Sequence, residues 1–247
     1  MIPVEVVVEL LGTEINDIEI YKKAFIHKSA VQHEGVDGSY ETLEFMGDSV
    51  LGFIVTKFLY DKYEHLQEGF LTRARTKIVC GKTLSEISRK LGFNNWIIMD
   101  EKGMRNGWNN NPKILEDVFE AFIGSIYMDL GMIEAKRFVI GVLNNPDLID
   151  IPKLMIDDNY KDVLMRLCQS NKWELPEYKQ LNHNEMGKFR IGVVVEGKQW
   201  GTGKGSTKKE AEQAGAYFTL KRMEEFIGKK LVPSKRPNAM IKNIDRK

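Results

Sequence analysis

Five carboxylates stand where the surrounding sequence is apolar. Glu41, Glu44 and Asp48 fall in Tyr40-Glu41-Thr42-Leu43-Glu44-Phe45-Met46-Gly47-Asp48-Ser49-Val50-Leu51. That segment runs on through Phe53, Ile54, Val55, Phe58 and Leu59 and is apolar around nearly its whole circumference, the pattern of a core helix. Their i, i+3, i+7 spacing puts the three acids on one helix face. Asp117 and Glu120 stand three apart in a second segment of this kind, Ile114 to Tyr127. Unpartnered ionised carboxylates are costly in apolar surroundings, so such groups are protonated, paired with a base or bound to a cation. Neither segment offers many basic residues of its own. Hard oxygen ligands converging from two helices suit Mg2+, with Mn2+ able to substitute. Zinc is the poorer choice, because no cysteine or paired histidine lies nearby. One acidic stripe alone is ordinarily a solvated helix face; two of them in all-round apolar helices favour a metal site.

A second constellation lies near the C-terminus, where Gly201-Thr202-Gly203-Lys204-Gly205-Ser206-Thr207-Lys208-Lys209 leads directly into a helical pattern. Free N–H groups and the dipole at a helix start attract anions, and Lys204, Lys208 and Lys209 add charge there. A nucleotide-binding P-loop is excluded, because Lys204 is followed by Gly205 and the preceding spacing is wrong. A Lys-Lys pair by itself is usually soluble surface. The histidines carry less: His27, His33 and His65 read as core or capping residues, and no His-Asp pair of the kind used by helical metal phosphohydrolases occurs.

The elements that must hold these groups divide into two parts. With 247 residues, one larger and one smaller domain are expected. Residues 4–143 repeat apolar side chains at three- and four-residue spacings, which predicts an all-α domain over 1–145, with Gly103 to Pro112 as a polar loop. Turn formers from Asn144 to Pro152 predict a linker at 146–156. Beyond it the pattern is a helix at 159–170, a strand at 189–196, a short strand at 198–204 and a helix at 208–227, a small α+β domain over 157–227. Residues 228–247 mix lysine, arginine and proline and are expected to form a flexible basic tail.

The composition, 43% hydrophobic and 29% charged, is that of a soluble globular chain. No apolar run is long enough for a membrane span, and Glu5 and Glu9 interrupt the only candidate leader. The two cysteines, Cys80 and Cys168, lack metal-ligand spacing and suggest no disulfide. An intracellular, reducing compartment is expected, cytoplasm or nucleus being unresolved. A net charge of +1 argues against a simple basic nucleic-acid binder, so the placement of charge matters more than its total.

The segment Glu41-Thr42-Leu43-Glu44-Phe45-Met46-Gly47-Asp48-Ser49-Val50-Leu51 resembles the signature of the ribonuclease III family. Ala24-Phe25-Ile26-His27-Lys28-Ser29-Ala30, Glu68-Gly69 with Leu71 to Arg75, and Glu116-Asp117-Val118-Phe119-Glu120-Ala121 match it in the same order. The resemblance implies that Glu44, Asp48, Asp117 and Glu120 are the metal-binding catalytic acids, that Glu41 and Glu68 line the catalytic valley, and that Phe45 serves dimerisation. On its own residue type, Phe45 fits a core position in its own domain equally well.

Residues 159–227 resemble a double-stranded RNA-binding domain in their α-β-β-β-α order, in Pro176 with Tyr178, and in the Gly-Lys-rich helix start. That likeness implies phosphate contacts by Lys208 and Lys209 and recognition of A-form shape. Two positions depart from the pattern: Arg166 replaces a first-helix acid, and Asn184-Glu185-Met186-Gly187 replaces the usual loop, with His183 beside it.

The expectation is a magnesium-dependent homodimeric endonuclease that cuts double-stranded RNA to 5′ phosphate and 3′ hydroxyl ends with short 3′ overhangs. The alternative is a noncatalytic double-stranded RNA-binding protein on the same scaffold.

Overall fold

Residues 1–31, 38–64, 66–154, 159–181, 189–228 and 231–232 are described in the computed structural model. They belong to two units, Met1–Met155 and Ile156–Lys247. The first is helical: α1 (Val4–Leu11), α2 (Ile18–Lys23), α3 (Glu41–Lys62), α4 (Glu68–Ile78), α5 (Gly81–Lys90), α6 (Glu101–Arg105), α7 (Pro112–Asn144) and α8 (Ile151–Leu154). Every residue of α7 from Asp117 to Ile126 is buried, which makes it the central post of the unit. Phe119, Phe122 and Phe138 of α7 meet Phe25 and Phe93 in a ring cluster with centroids 5.0–6.4 Å apart. The start of α7 is fixed locally: Asn111 accepts a hydrogen bond from the Lys113 N–H at 2.9 Å, and Pro112 takes the first helical position. Gly131, at φ 81° and ψ −174°, bends α7 with a backbone conformation that a side chain would oppose.

The crossing of α3 on α7 is a backbone-to-backbone contact. At Gly47 a Cβ would lie 1.8 Å from the Glu120 carbonyl oxygen, and at Gly124 a Cβ would lie 2.2 Å from the Leu43 carbonyl oxygen. The two backbones therefore touch where Glu44 and Glu120 leave them, and only glycine permits that approach.

Three sequence expectations change here. The α3 segment is not a core helix all round. Leu43, Gly47, Val50, Leu51, Ile54, Val55 and Leu59 are buried as a single face, whereas Phe45, Phe53 and Tyr60 are exposed on the other side. The expected loop 103–112 is mostly ordered turns, since α6 reaches Arg105, a 3-10 turn covers Trp108–Asn110 and α7 starts at Pro112. Residues 151–154 of the expected linker form α8, capped by Asp150, with Ile149 and Ile151 buried in the core of the first unit. Pro152 is harmless there because an N–H in a first helical turn needs no intrahelical acceptor.

The second unit places α9 (Tyr160–Ser170) and α10 (Lys208–Ile227) with an antiparallel sheet of β1 (Glu177–Gln180), β2 (Phe189–Val195) and β3 (Lys198–Gly205), in the order β1-β2-β3. Positive φ at Glu196 and Gly197, 52° and 69°, makes the tight β2–β3 turn. Val193 and Val195 of β2 pack with Tyr160, Leu164 and Cys168 of α9 and with Ala216, Leu220 and Met223 of α10. Cys80 and Cys168 are both free. Among the described residues no helix is long and apolar enough to cross a membrane.

Candidate metal centre and nucleic-acid interface

Glu44 from α3 and Asp117 and Glu120 from α7 bring one carboxylate oxygen each to within 4.8 Å of one another. Asp117 and Glu120 are only 7% and 6% exposed, and Glu44 is half-buried. Burial, then the charges of Asp48 and Glu116, push the Glu120 carboxyl up to about 8. Glu44 is raised as well, by burial and by Asp117. Behind them the buried Tyr40 hydroxyl donates to Asp117 Oδ2 at 3.4 Å.

Asp48 stands one helical turn beyond Glu44, a displacement of about 6 Å along the axis, and is exposed outside this trio. Its charge is nevertheless felt by Glu120. Glu41 is exposed at the start of α3, 3.3 Å from Lys28, and accepts a bond from Ser39 Oγ. Glu68 is exposed at the start of α4 and accepts from Thr72 Oγ1 of its own helix. His27 caps the turn at residues 28–30 by accepting from the Ser29 N–H, as a structural histidine would. His33 and His65 lie outside the described residues. Phe45 is 77% exposed, which removes the reading of it as a core residue of its own domain.

The apolar segments hold few basic residues, but Lys113, just outside the second of them, partners the acids. Its ammonium lies 2.6 Å from Asp117 Oδ1, 3.6 Å from Glu116 and 3.9 Å from Glu44. It sits just before the apolar segment, four residues from Asp117 and three from Glu116, so the helical period was the signal that could have found it. Glu116 is the other missed neighbour. A Cβ at Gly81 would come within 2.4 Å of its Oε2, so the start of α5 closes over that carboxylate.

In the second unit Lys204, Lys208 and Lys209 are all exposed, Lys204 near the end of β3 and the other two in the first turn of α10. The glycines beside them have a different purpose from the one their pattern suggested. Cβ atoms at Gly201, Gly203 and Gly205 would strike α10, at 2.5 Å from Thr219 Oγ1, 2.0 Å from the Ala211 oxygen and 2.5 Å from the Ala211 nitrogen. They let β3 lie directly on the helix. The helix start is also partly occupied: Thr207 Oγ1 accepts from the Glu210 N–H, while Glu210 Oε2 accepts from Ser206 and from the Thr207 N–H. Charge for an anion therefore comes from the lysines more than from free backbone donors. Arg166 pairs with Asp162 one turn earlier in α9 at 3.1 Å. His183 and Asn184 to Gly187 lie outside the described residues.

A helical unit with converging acids, followed by an α-β-β-β-α unit with lysines at its second helix, defines a class: a nuclease unit joined to a double-stranded RNA-binding unit. Residues 17–146, just over half of the chain, match the family described as ribonuclease-III-like, and residues 160–223 match the double-stranded RNA binding motif. The chain is 44% identical over 225 residues to a putative protein of Paramecium bursaria Chlorella virus 1, covering 88% of this chain and 79% of that one. It is 34% identical to ribonuclease 3 of Listeria welshimeri, covering 87% of this chain and 95% of the relative. A solved nuclease domain of ribonuclease III from Campylobacter jejuni, described with a flexible region involved in dimer formation, superposes with TM-score 0.52 at 31% identity. It covers 56% of this chain and 94% of that domain. The chain belongs to the ribonuclease III family and is a double-stranded RNA endonuclease of that type.

Proposed function

We propose that Glu44, Asp48, Asp117 and Glu120 hold Mg2+, with Mn2+ as a substitute, and that this ion is required for cutting. The convergence of three carboxylates from two helices, one of them raised to about 8, carries the reading. Such crowding of acids is unfavourable unless a cation or protons offset it, and an all-oxygen donor set fits a hard cation. A bound divalent cation supplies Lewis acidity toward the phosphodiester and makes a water nucleophile available near neutral pH.

The chain's own groups do the rest. Gly47 and Gly124 fix the spacing of the acids by holding the two backbones together. Asp48 extends the negative surface outward from the trio, and Glu41 and Glu68 line the valley beside it. Lys204, Lys208 and Lys209 grip phosphates of an A-form duplex, which orients it without reading sequence. Water attack at phosphorus with departure of the 3′ oxygen leaves 5′ phosphate and 3′ hydroxyl ends.

The exposed stripe of Phe45, Phe53 and Tyr60 on α3 is the surface for a second copy. Three large apolar side chains along about 22 Å of one helix are unusual for a monomer, and the Campylobacter domain is described as forming a dimer. Two sites offset across a duplex leave short 3′ overhangs.

The test is cleavage of an end-labelled RNA duplex with Mg2+ or with chelator. Wild type cuts only with metal, and Asp117→Asn and Glu120→Gln each lose about a thousandfold or more in rate while binding the duplex as before. Tight binding without cutting in either metal would instead make the chain a noncatalytic RNA-binding protein.

A further inference from the structure

Lys113 reaches the acids directly, and its placement is asymmetric. Its backbone is fixed, by the Asn111 cap and by Pro112 before it. Its side chain is 65% exposed along its length, yet the ammonium at its tip touches Asp117, whose side chain is only 10% exposed. The same ammonium lies near Glu44 on the other helix and near Glu116. One positive charge thus spans α3 and α7 at the oxygens that a divalent cation would need.

We propose that Lys113 is a built-in, displaceable counterion that holds Asp117 and Glu44 in register while no metal is bound and withdraws into solvent when a divalent cation takes those oxygens. The inference rests on the metal-site reading above. An ammonium and a divalent ion sharing Asp117 repel one another at short range, and in this half-exposed setting that repulsion weakens metal binding. Withdrawal needs only rotation of a flexible four-carbon stem that is already in water, so the helix need not move. Without the lysine, a nearly buried Asp117 loses its charge partner and the metal-free protein is destabilised. Lys113 is a positioning residue: it sets how tightly the site takes a cation and keeps the empty site from flying apart.

The experiment uses the full chain freed of metal, titrated calorimetrically with Mn2+ alone and melted with and without Mn2+. Lys113→Met keeps the length of the side chain and removes its charge. The variant is expected to melt lower than wild type without metal, to bind Mn2+ about five- to tenfold tighter, and to gain more in melting temperature on Mn2+ addition. Lys113→Arg keeps the charge and is expected to retain the metal-free melting temperature and to bind no more tightly than wild type, so a mere folding defect is separable. Equal or weaker Mn2+ binding by Lys113→Met, or an unchanged metal-free melting temperature, overturns the proposal. Failure of the underlying reading looks different: wild type itself takes up no Mn2+, or Asp117→Asn binds it as wild type does, and the counterion role then falls with the site.

Discussion

The acids of the first unit and the lysines of the second, proposed above to hold metal and to grip RNA, are held at opposite extremes of solvation. Asp117 and Glu120 are buried, crowded and partly offset by Lys113. Lys204, Lys208 and Lys209 stand in water. A buried charge carries a standing cost that must be answered by close backbone geometry, a counterion and a ligand. An exposed one costs the fold little and acts through counterion release. The first arrangement gives precise placement of a few atoms; the second gives affinity for a uniform surface.

The difference can be broken most severely at Gly47. Gly47→Ala puts a methyl group 1.8 Å from the Glu120 carbonyl. We expect a loss of about 3 kcal/mol or more of stability by urea denaturation together with loss of cutting, since the helices must separate to admit it. Fully wild-type stability would mean that the crossing is looser than described.

On the lysine side, the joint change Lys208→Ala with Lys209→Ala should weaken duplex binding about tenfold at moderate salt and lower the slope of log affinity against log salt by about 2. Its melting temperature should stay that of wild type. A changed melting temperature with an unchanged salt slope would place these lysines in the fold instead of on the RNA.

A subtler contrast lies in pH. Glu120 in the folded, metal-free protein is raised from 4.5 to about 8, so the folded state keeps a proton that the unfolded chain releases. The stability from that proton is fully present below about pH 4.5 and is lost as pH rises through 8. Between about pH 5 and pH 9 the urea midpoint of metal-free wild type should therefore fall, by the equivalent of up to about 4 kcal/mol. Glu120→Gln should flatten that decline, and a wild-type profile already flat would show that Glu120 is not strained by its neighbours.

Much of this contrast was legible in the residues because helical spacing alone puts Glu44 with Asp48 and Asp117 with Glu120. The strand and helix pattern of the second unit could be read from alternation, and α10 falls where its periodicity placed it. What could not be read is what depends on contact between elements far apart in sequence. Gly47 and Gly124 look like weak points in helices until the crossing brings each against the opposite backbone. Gly201, Gly203 and Gly205 imitate a phosphate loop for the same reason, although they serve the packing of β3 on α10. Lys113 is hard to see in the sequence because it lies one residue before the apolar run that carries Asp117 and Glu120. Exposure of Phe45 and Phe53 is likewise set by which face of α3 the core leaves uncovered.

The proposed chemistry requires a cation among the buried acids. The most direct measurement is a crystal soaked in Mn2+ and recorded at the manganese absorption edge. An anomalous peak is expected among Glu44, Asp117 and Glu120, with the Lys113 amine withdrawn from Asp117. A protein that cuts duplex RNA under the same Mn2+ conditions but shows no peak there, or shows one elsewhere, would contradict it.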